Sequence, residues 1–156
     1  MARSKVVGID SFVSTLENLG ADVEGISKQC VYKGAELIAD GIRDAIGGIP
    51  GRDNGGRAGV TDIEREGLLE GLGVSTMQSS GGVIDNKIGF DGYNGYKTSK
   101  YPNGHPNSMV ARSIESGTSF LRKTPFIAPT VRRLRASVQE AMQAELDEQI
   151  KQRSNK

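Results

Sequence analysis

The sequence contains no tryptophan, one cysteine and one histidine among its 156 residues. A single cysteine, Cys30, excludes an internal disulfide and a site built of several thiolates, which suits a reducing compartment. A single histidine excludes a histidine-rich metal site and leaves one imidazole for any Ser-His or Cys-His catalyst. That residue, His105, lies between Gly104 and Pro106 in a loop-forming stretch, which favours a surface role. We therefore predict that the chain is not an enzyme and uses no metal or cofactor.

Long hydrophobic runs and an excess of one charge are also missing. No stretch approaches the roughly 20 apolar residues of a membrane span, and the first ten residues lack the apolar core of a secretory signal. Lys and Arg number 20 against 19 Asp and Glu, a net charge of +1. Bulk attraction to DNA or a membrane surface is therefore not expected, so such binding would have to be local. The length suits one domain over residues 1–156.

Helical periodicity marks both ends of the chain. Apolar residues recur at steps of three and four over residues 12–42, which predicts a long amphipathic helix capped by Asp10 or Ser11 and open to a break at Gly20. A single apolar stripe over residues 131–150 predicts the last helix.

The middle of the chain mixes helix and strand signals. Thr61 and Glu64 have the spacing of a capping box and predict a short helix that ends near Gly73. Residues 74–90 predict a β-hairpin that turns at 79–82, with three apolar side chains on one face: Ile84, Ile88 and Phe90. The fold class is accordingly α+β, with a long N-terminal amphipathic helix and a C-terminal helix packed on a small antiparallel β-sheet.

Two loops and one further helix complete the prediction. Residues 47–59 are rich in glycine with almost nothing to bury, and residues 91–107 hold Tyr93 and Tyr96; we expect both loops to be flexible. Between them and the last helix, residues 107–116 predict a short helix capped by Asn107 or Ser108 and closed by Gly117.

Two prolines bracket Phe126 and Ile127 just before the last helix. Proline disfavours helical angles in the residue before it, so we expect the helix to begin at Pro129 and the residues after Pro125 to form a non-helical turn. Phe126 and Ile127 then either plug the core end of the helix or are displayed to a partner.

Charge on the last helix runs against its dipole. Arginines occupy its opening turns, namely Arg132, Arg133 and Arg135. Acids lie toward its other end, namely Glu145, Asp147 and Glu148. Intrinsic helix stability does not favour this arrangement. It suits a head-to-tail contact between identical subunits, with a solvated charged face as the alternative.

The stretch VARSIESGTSFLRKTPFIAPTVRRL resembles the C-terminal signature of the tail-completion, or head-to-tail joining, proteins of long-tailed double-stranded DNA bacteriophages. That family shows an apolar segment, a Glu-x-Gly-Thr turn, a short basic link and a Pro-Phe-x-x-Pro element that opens the last helix. The matching residues are Glu115, Gly117, Thr118, Pro125, Phe126 and Pro129. The N-terminal FVSTLENLGADVEGI is similar to the family's opening, whereas Ser116 stands where the family often has an aromatic residue.

The resemblance implies a structural subunit of the virion, made in the host cytoplasm, that forms a hexameric ring at the head-proximal end of the tail. Its implied partners are further copies of itself, the tail tube protein and the head-closure or neck proteins, with non-specific contact to DNA in the lumen. A tail terminator is the related alternative. The interface is predicted to include Tyr93, Tyr96, Glu115, Gly117, Thr118, Phe120, Pro125, Phe126, Ile127, Pro129, Arg132, Arg133 and Arg135.

A small nucleic-acid-binding module is the alternative of a different class. Its phosphate-facing patch would consist of Arg122, Lys123, Arg132, Arg133 and Arg135. The near-neutral charge and the lack of a helix-turn-helix or zinc pattern count against it. The glycine-rich 47–59 segment lacks the Gly-Lys-Ser/Thr ending of a phosphate-binding loop.

Overall fold

A computed structural model of the chain describes residues 22–53 and 55–154. This part of the chain folds into helices and short strands in the order α1 (Val23–Gly48), α2 (Asp62–Gly71), β1 (Leu72–Val74), β2 (Gln78–Ser80), β3 (Val83–Asp85), β4 (Ile88–Phe90), α3 (Asn107–Ser116) and α4 (Ile127–Ser154). The predicted α+β class, with helices packed on small antiparallel strands, is confirmed. Within these ranges no helix is long and apolar enough to cross a membrane.

The two long helices, α1 and α4, pack antiparallel and form most of the core. Gln29 near the start of α1 bonds to Gln149 near the end of α4, while Gly41 meets Leu134 at the opposite end. A Cβ atom on Gly41 would lie 2.3 Å from Leu134 Cδ1, and one on Gly34 would lie 2.9 Å from Met142 Sδ. The two glycines therefore let the helices approach closely.

Helix α1 begins at Val23, close to the break predicted at Gly20. The side chain of Asp22 caps it by accepting from Gly25 N at 3.0 Å. The predicted earlier helical stretch from Phe12 and its caps at Asp10 or Ser11 lie outside the described residues.

The other end of α1 is tied to α2 by one arginine. The Arg65 guanidinium donates to the backbone oxygens of Ile46 and Gly47, and to Ile49 O at 2.5 Å. Ile46 O also accepts from Ile49 N at 3.3 Å, but carbonyls at the end of a helix lack the usual partner one turn later, and a cation there suits the helix dipole. Arg65 thus fixes the start of α2 against the end of α1.

The loop between α1 and α2 differs from its prediction in one respect. Helix α1 continues through Gly48, and Ile49 is buried, so the expectation that residues 47–59 have almost nothing to bury is wrong. A bridge between Gly51 and Val60 closes the loop, and Arg52 pairs with Glu64. The predicted flexibility of the segment stays a prediction.

The short helix α2 confirms the capping box. Thr61 Oγ1 accepts from Glu64 N at 3.2 Å, and Glu64 Oε2 accepts from Thr61 N at 3.0 Å. The helix ends at Gly71, two residues before the predicted Gly73, because Leu72 already begins strand β1.

The predicted hairpin is present, with an irregularity in its middle. Strand β1 pairs with β4 and β2 with β3, both antiparallel, from Leu72↔Phe90 to Ser80↔Val83. Between the two ladders residues 75–77 face only residues 86–87, so the first strand carries an extra residue, as in a β-bulge. Gly81 and Gly82, both with positive φ, form the turn. The expected apolar face is confirmed, since Ile84, Ile88 and Phe90 all pack on the core.

Helix α3 has the predicted extent and end but a different start. Its N-cap is Pro106, and neither Asn107 nor Ser108 caps it. The Asn107 side chain is buried instead, and its Nδ2 donates to Asp91 O at 2.8 Å. Gly117 closes the helix as predicted, with a φ of 76°.

The long loop over residues 91–107 lies against α2. Asn94 is buried, and its side-chain oxygen accepts from the backbone N–H groups of Tyr96 and His105. A Cβ on Gly67 would lie 2.6 Å from Asn94 Cβ, and one on Gly71 would lie 2.3 Å from Asp91 O. The two glycines, one helical turn apart, therefore let the loop pack directly on the α2 backbone.

Candidate interface at the start of the last helix

The carboxylate of Glu115, in the last turn of α3, caps the start of α4. Its Oε2 accepts from the backbone N–H groups of Phe126 at 2.7 Å and Ile127 at 2.8 Å, and its Oε1 accepts from Ala128 N at 2.9 Å. The first N–H groups of a helix have no internal partners, and an anion there also faces the positive end of the dipole. Pro129 has no N–H, so this one side chain serves every backbone donor over residues 126–129. We call this set of contacts the Glu115 cap.

The Glu115 cap changes where the last helix begins. Helix α4 starts at Ile127, so the expected start at Pro129 is wrong; the expected non-helical turn is confirmed for Phe126 and wrong for Ile127 and Ala128. Pro129 lies in the first helical turn, where its missing N–H costs nothing. The Glu115 carboxylate accepts from the N–H groups just before Pro129, so the helix can begin two residues earlier than the proline pattern predicts. These hydrogen bonds offset the steric cost of helical angles at Ala128, the residue before the proline.

Gly117 and Thr118 form the turn that brings Glu115 to α4. A Cβ on Gly117 would lie 2.9 Å from Lys123 N and 3.0 Å from Leu121 O. Thr118 Oγ1 accepts from the N–H groups of Phe120 at 3.2 Å and Leu121 at 3.0 Å, which closes the turn. The chain then returns along α3, where Thr124 N donates to Ile114 O at 2.7 Å. Each residue of the Glu-x-Gly-Thr pattern thus has a structural role.

Phe126 lies in the core of the subunit. It is 3% exposed and packs edge-on against Phe90, with 6.1 Å between ring centroids. Its carbonyl accepts from Thr130 Oγ1 at 2.7 Å, and Ile127 beside it is half-buried. Of the two interpretations of this segment, the core plug is correct for Phe126 and its display to a partner is wrong. A charged residue at this position would test folding, not assembly.

Exposed cations lie in the turn before α4, in the first turns of α4 and in the loop that bonds to that turn, and we call this set the basic surface. Its members are Arg57, Arg122, Lys123, Arg132, Arg133 and Arg135. Within residues 22–53 and 55–154 none of these side chains forms an ion pair or hydrogen bond, whereas Lys28, Lys33, Arg43 and Arg52 are paired. The aromatic ring of Phe120, next to this surface in the chain, is 79% exposed.

Arg57 is the member of the basic surface that the sequence patterns missed. The N–H of Arg122 donates to Arg57 O at 2.6 Å, which brings the glycine-rich loop against the turn before α4. The two residues are far apart in the chain, and no periodicity or motif links them. Only the chain fold could place them together.

The exposed tyrosines of the predicted interface lie elsewhere. Tyr93 and Tyr96 are 58% and 54% exposed, on the loop that meets the start of α3, whereas Glu115 is at its end. The Tyr96 ring packs edge-on against His105 at 5.3 Å, and Tyr101 packs on the same imidazole at 4.7 Å. His105 is thus a half-buried packing residue between two rings. The predicted interface set therefore divides between two regions of the subunit.

The acidic side chains of α2 and one open groove lie outside these regions. Glu64 is engaged by Arg52 and by the capping box, while Glu66 and Glu70 are exposed. No group of three or more His, Cys, Asp or Glu side chains in the described ranges is placed to hold a metal ion. An open groove of about 310 Å³ lies at the other end of α1, against Tyr32 and Met77, and contains none of the predicted site residues.

Cys30 lies in the interface between α1 and α4. The side chain is 4% exposed, and burial together with the nearby Glu145 carboxylate raises the pKa of the thiol from 9.0 to about 11. A thiol whose pKa is raised in the folded state stabilises the fold below its unfolded pKa, and this contribution is lost as the pH rises toward 11. The residue is a buried small hydrophobe, as expected.

We expect native Cys30 to react with an aromatic disulfide reagent at pH 8 at least about 100-fold more slowly than the urea-unfolded chain, because its thiolate fraction falls tenfold per pKa unit and the sulfur is buried. Absorbance of the released thiolate measures both rates. Glutathione treated in parallel, with and without urea, corrects for the effect of the denaturant. Equal rates in the folded and unfolded chains would contradict the burial.

The chain matches no protein-family model, no curated protein and no solved structure at a significant level.

Proposed function

We propose that the chain is a structural virion protein: a bacteriophage tail-completion subunit that assembles as a homo-oligomeric ring at the head-proximal end of the tail. The observation that carries the proposal is the segment from Glu115 to Pro129. Its residues resemble the family signature, and their contacts form one unit in which Glu115 caps α4 and Gly117 and Thr118 shape the turn. The resemblance and these contacts therefore fall on the same residues, and this supports the proposal.

The division of this segment into inner and outer residues supports an assembly role. The Glu115 cap and Phe126 are directed into the subunit and fix the start of α4 against α3. Phe120 and the three arginines of α4 are directed outward from the same fixed element. Exposed side chains on a rigid element suit a defined contact, because little order has to be created on binding.

The partners proposed for this ring are the tail tube protein on one side and the head-closure or neck proteins on the other. A tail terminator occupies a similar position and remains the nearest alternative, distinguished by its effect on tail length. Neither role requires a reaction centre.

Deletion of the gene from the genome that encodes it, followed by phage induction and electron microscopy, tests the proposal. We expect filled heads beside separate tails of normal length, and joined particles again when the gene is supplied on a plasmid. Overlong tails would favour the terminator. Intact joined particles from the deletion strain would contradict both roles.

A nucleic-acid-binding module is a second candidate, favoured by one observation: the fold adds Arg57 to the cations recognised in the sequence. Such a surface would bind phosphates with an affinity that falls steeply with salt. A titration of duplex DNA at low and physiological salt tests this candidate, and absence of binding at low salt would remove it.

A further inference from the structure

The outward face of α2 differs in composition from the basic surface. A helix turns every 3.6 residues, so five exposed side chains of α2 lie within an arc of about 120°. These residues, which we call the acidic face, are Asp62, Ile63, Glu66, Leu69 and Glu70. Gly67 and Leu68 lie outside this arc and are buried.

The acids of the acidic face are unpaired, and its apolar side chains are open. No ion pair or side-chain hydrogen bond involves Asp62, Glu66 or Glu70 within the described part of the chain. Ile63 is 42% exposed and Leu69 is 37% exposed. Gly95, in the 91–107 loop, approaches Ile63, since a Cβ on Gly95 would lie 3.8 Å from Ile63 Cγ2. The exposed Tyr96 is the next residue in the chain.

The basic surface and the acidic face are complementary in charge, and both carry exposed apolar side chains. The basic surface combines unpaired cations with Phe120, which is 79% exposed, and the acidic face combines unpaired carboxylates with exposed aliphatic side chains. Opposite charge steers two surfaces into register, and burial of the apolar side chains adds favourable free energy. Within one subunit the two surfaces do not satisfy each other, since no ion pair joins them.

We propose that the basic surface of one copy binds the acidic face of the next. The inference rests on the proposed homo-oligomeric assembly and names the surfaces that make it. Because the two surfaces are different, the contact is head-to-tail, and successive contacts give a closed ring when the rotation between copies allows it. A second copy fits better than a nucleic acid, because the net charge of +1 gives little bulk attraction to a polyanion and the chain itself carries the complement.

Charge reversal separates this contact from other modes of association. The surface variant carries Arg132→Glu and Arg133→Glu, and the face variant carries Glu66→Lys and Glu70→Lys. Sedimentation velocity at low and physiological salt measures the size of each protein alone and of an equimolar mixture. Thermal melting checks that the exposed substitutions leave the fold intact.

We expect wild-type protein to self-associate, and each variant alone to lose at least tenfold in apparent association constant. The equimolar mixture regains assembly, because every contact between unlike variants again joins opposite charges. A control with Lys151→Glu and Arg153→Glu changes the net charge by the same amount as the surface variant at the far end of α4. It should associate like wild type and should not rescue the face variant.

Three results would overturn the inference. The wild-type protein could be monomeric in low salt at its highest soluble concentration, or both variants could leave the oligomer unchanged. In the third, the surface variant would lose duplex DNA binding while its self-association is unaffected. None of these bears on the gene-deletion phenotype. Separated heads and tails with an unchanged oligomer would keep the proposed function and discard only these surfaces.

Discussion

Replacement of Glu115 by alanine is expected to lower the free energy of unfolding by about 2–4 kcal/mol. The substitution removes the acceptors of three backbone N–H groups, those of Phe126, Ile127 and Ala128. It also removes an anion from the positive end of the α4 dipole. Phe126 is buried, so water cannot fully replace the lost partner of its N–H. Urea denaturation followed by circular dichroism measures the loss.

Two variants determine whether the Glu115 cap causes that effect. Glu115→Gln keeps an acceptor oxygen but loses the charge and one acceptor, so its loss should lie between alanine and wild type. Glu140→Ala removes an exposed acid from α4, the helix that Glu115 caps, and should change stability by no more than about 0.5 kcal/mol. If Glu115→Ala were as stable as Glu140→Ala, the cap would not contribute to the fold.

Local signals in the sequence predicted the elements that depend on near neighbours. Thr61 and Glu64 satisfy each other across one helical turn, so their spacing alone identified the start of α2. The consecutive glycines at 81 and 82 supply the positive φ angles that a tight hairpin turn requires, so that part of the predicted turn is confirmed, whereas Ser79 and Ser80 belong to β2. The apolar stripe of α4 also predicted its helix, because a helix with one buried face has apolar residues at a regular spacing of three and four.

The features that the sequence did not reveal depend on contacts between distant segments. Pro129 by itself suggested a helix start, but the true start is set by Glu115, which lies in another helix. The close contact between Gly67 and Asn94 forms only when the 91–107 loop folds back on α2, and no sequence pattern in either segment predicts this contact. Arg57 joined the basic surface for the same reason. The candidate interface was therefore predicted in part: its motif was recognised, but its division into a buried cap and an outer charged surface was not.

Replacement of Gly104 by alanine is expected to destabilise the fold by about 3 kcal/mol or more. Gly104 has a φ of 101°, a conformation that residues with a side chain rarely adopt. A Cβ there would also lie 1.9 Å from the backbone oxygen of Asn94, which the loop can relieve only by moving. That movement would break the bond from Asn94 N to His105 O and detach the loop from α2. Thermal and urea unfolding measure the loss.

A second glycine separates backbone strain from the steric clash. Gly82 also has a positive φ, 75°, but a Cβ there meets nothing within 4 Å. Gly82→Ala should therefore cost only the conformational strain, about 1–2 kcal/mol. The excess loss at Gly104 then reports the close approach of the 91–107 loop to itself, and with it the rigidity of the segment that carries Tyr93 and Tyr96. Equal losses for the two variants would mean that the loop yields readily, and the tyrosines would then have no fixed position from which to contribute to an assembly contact.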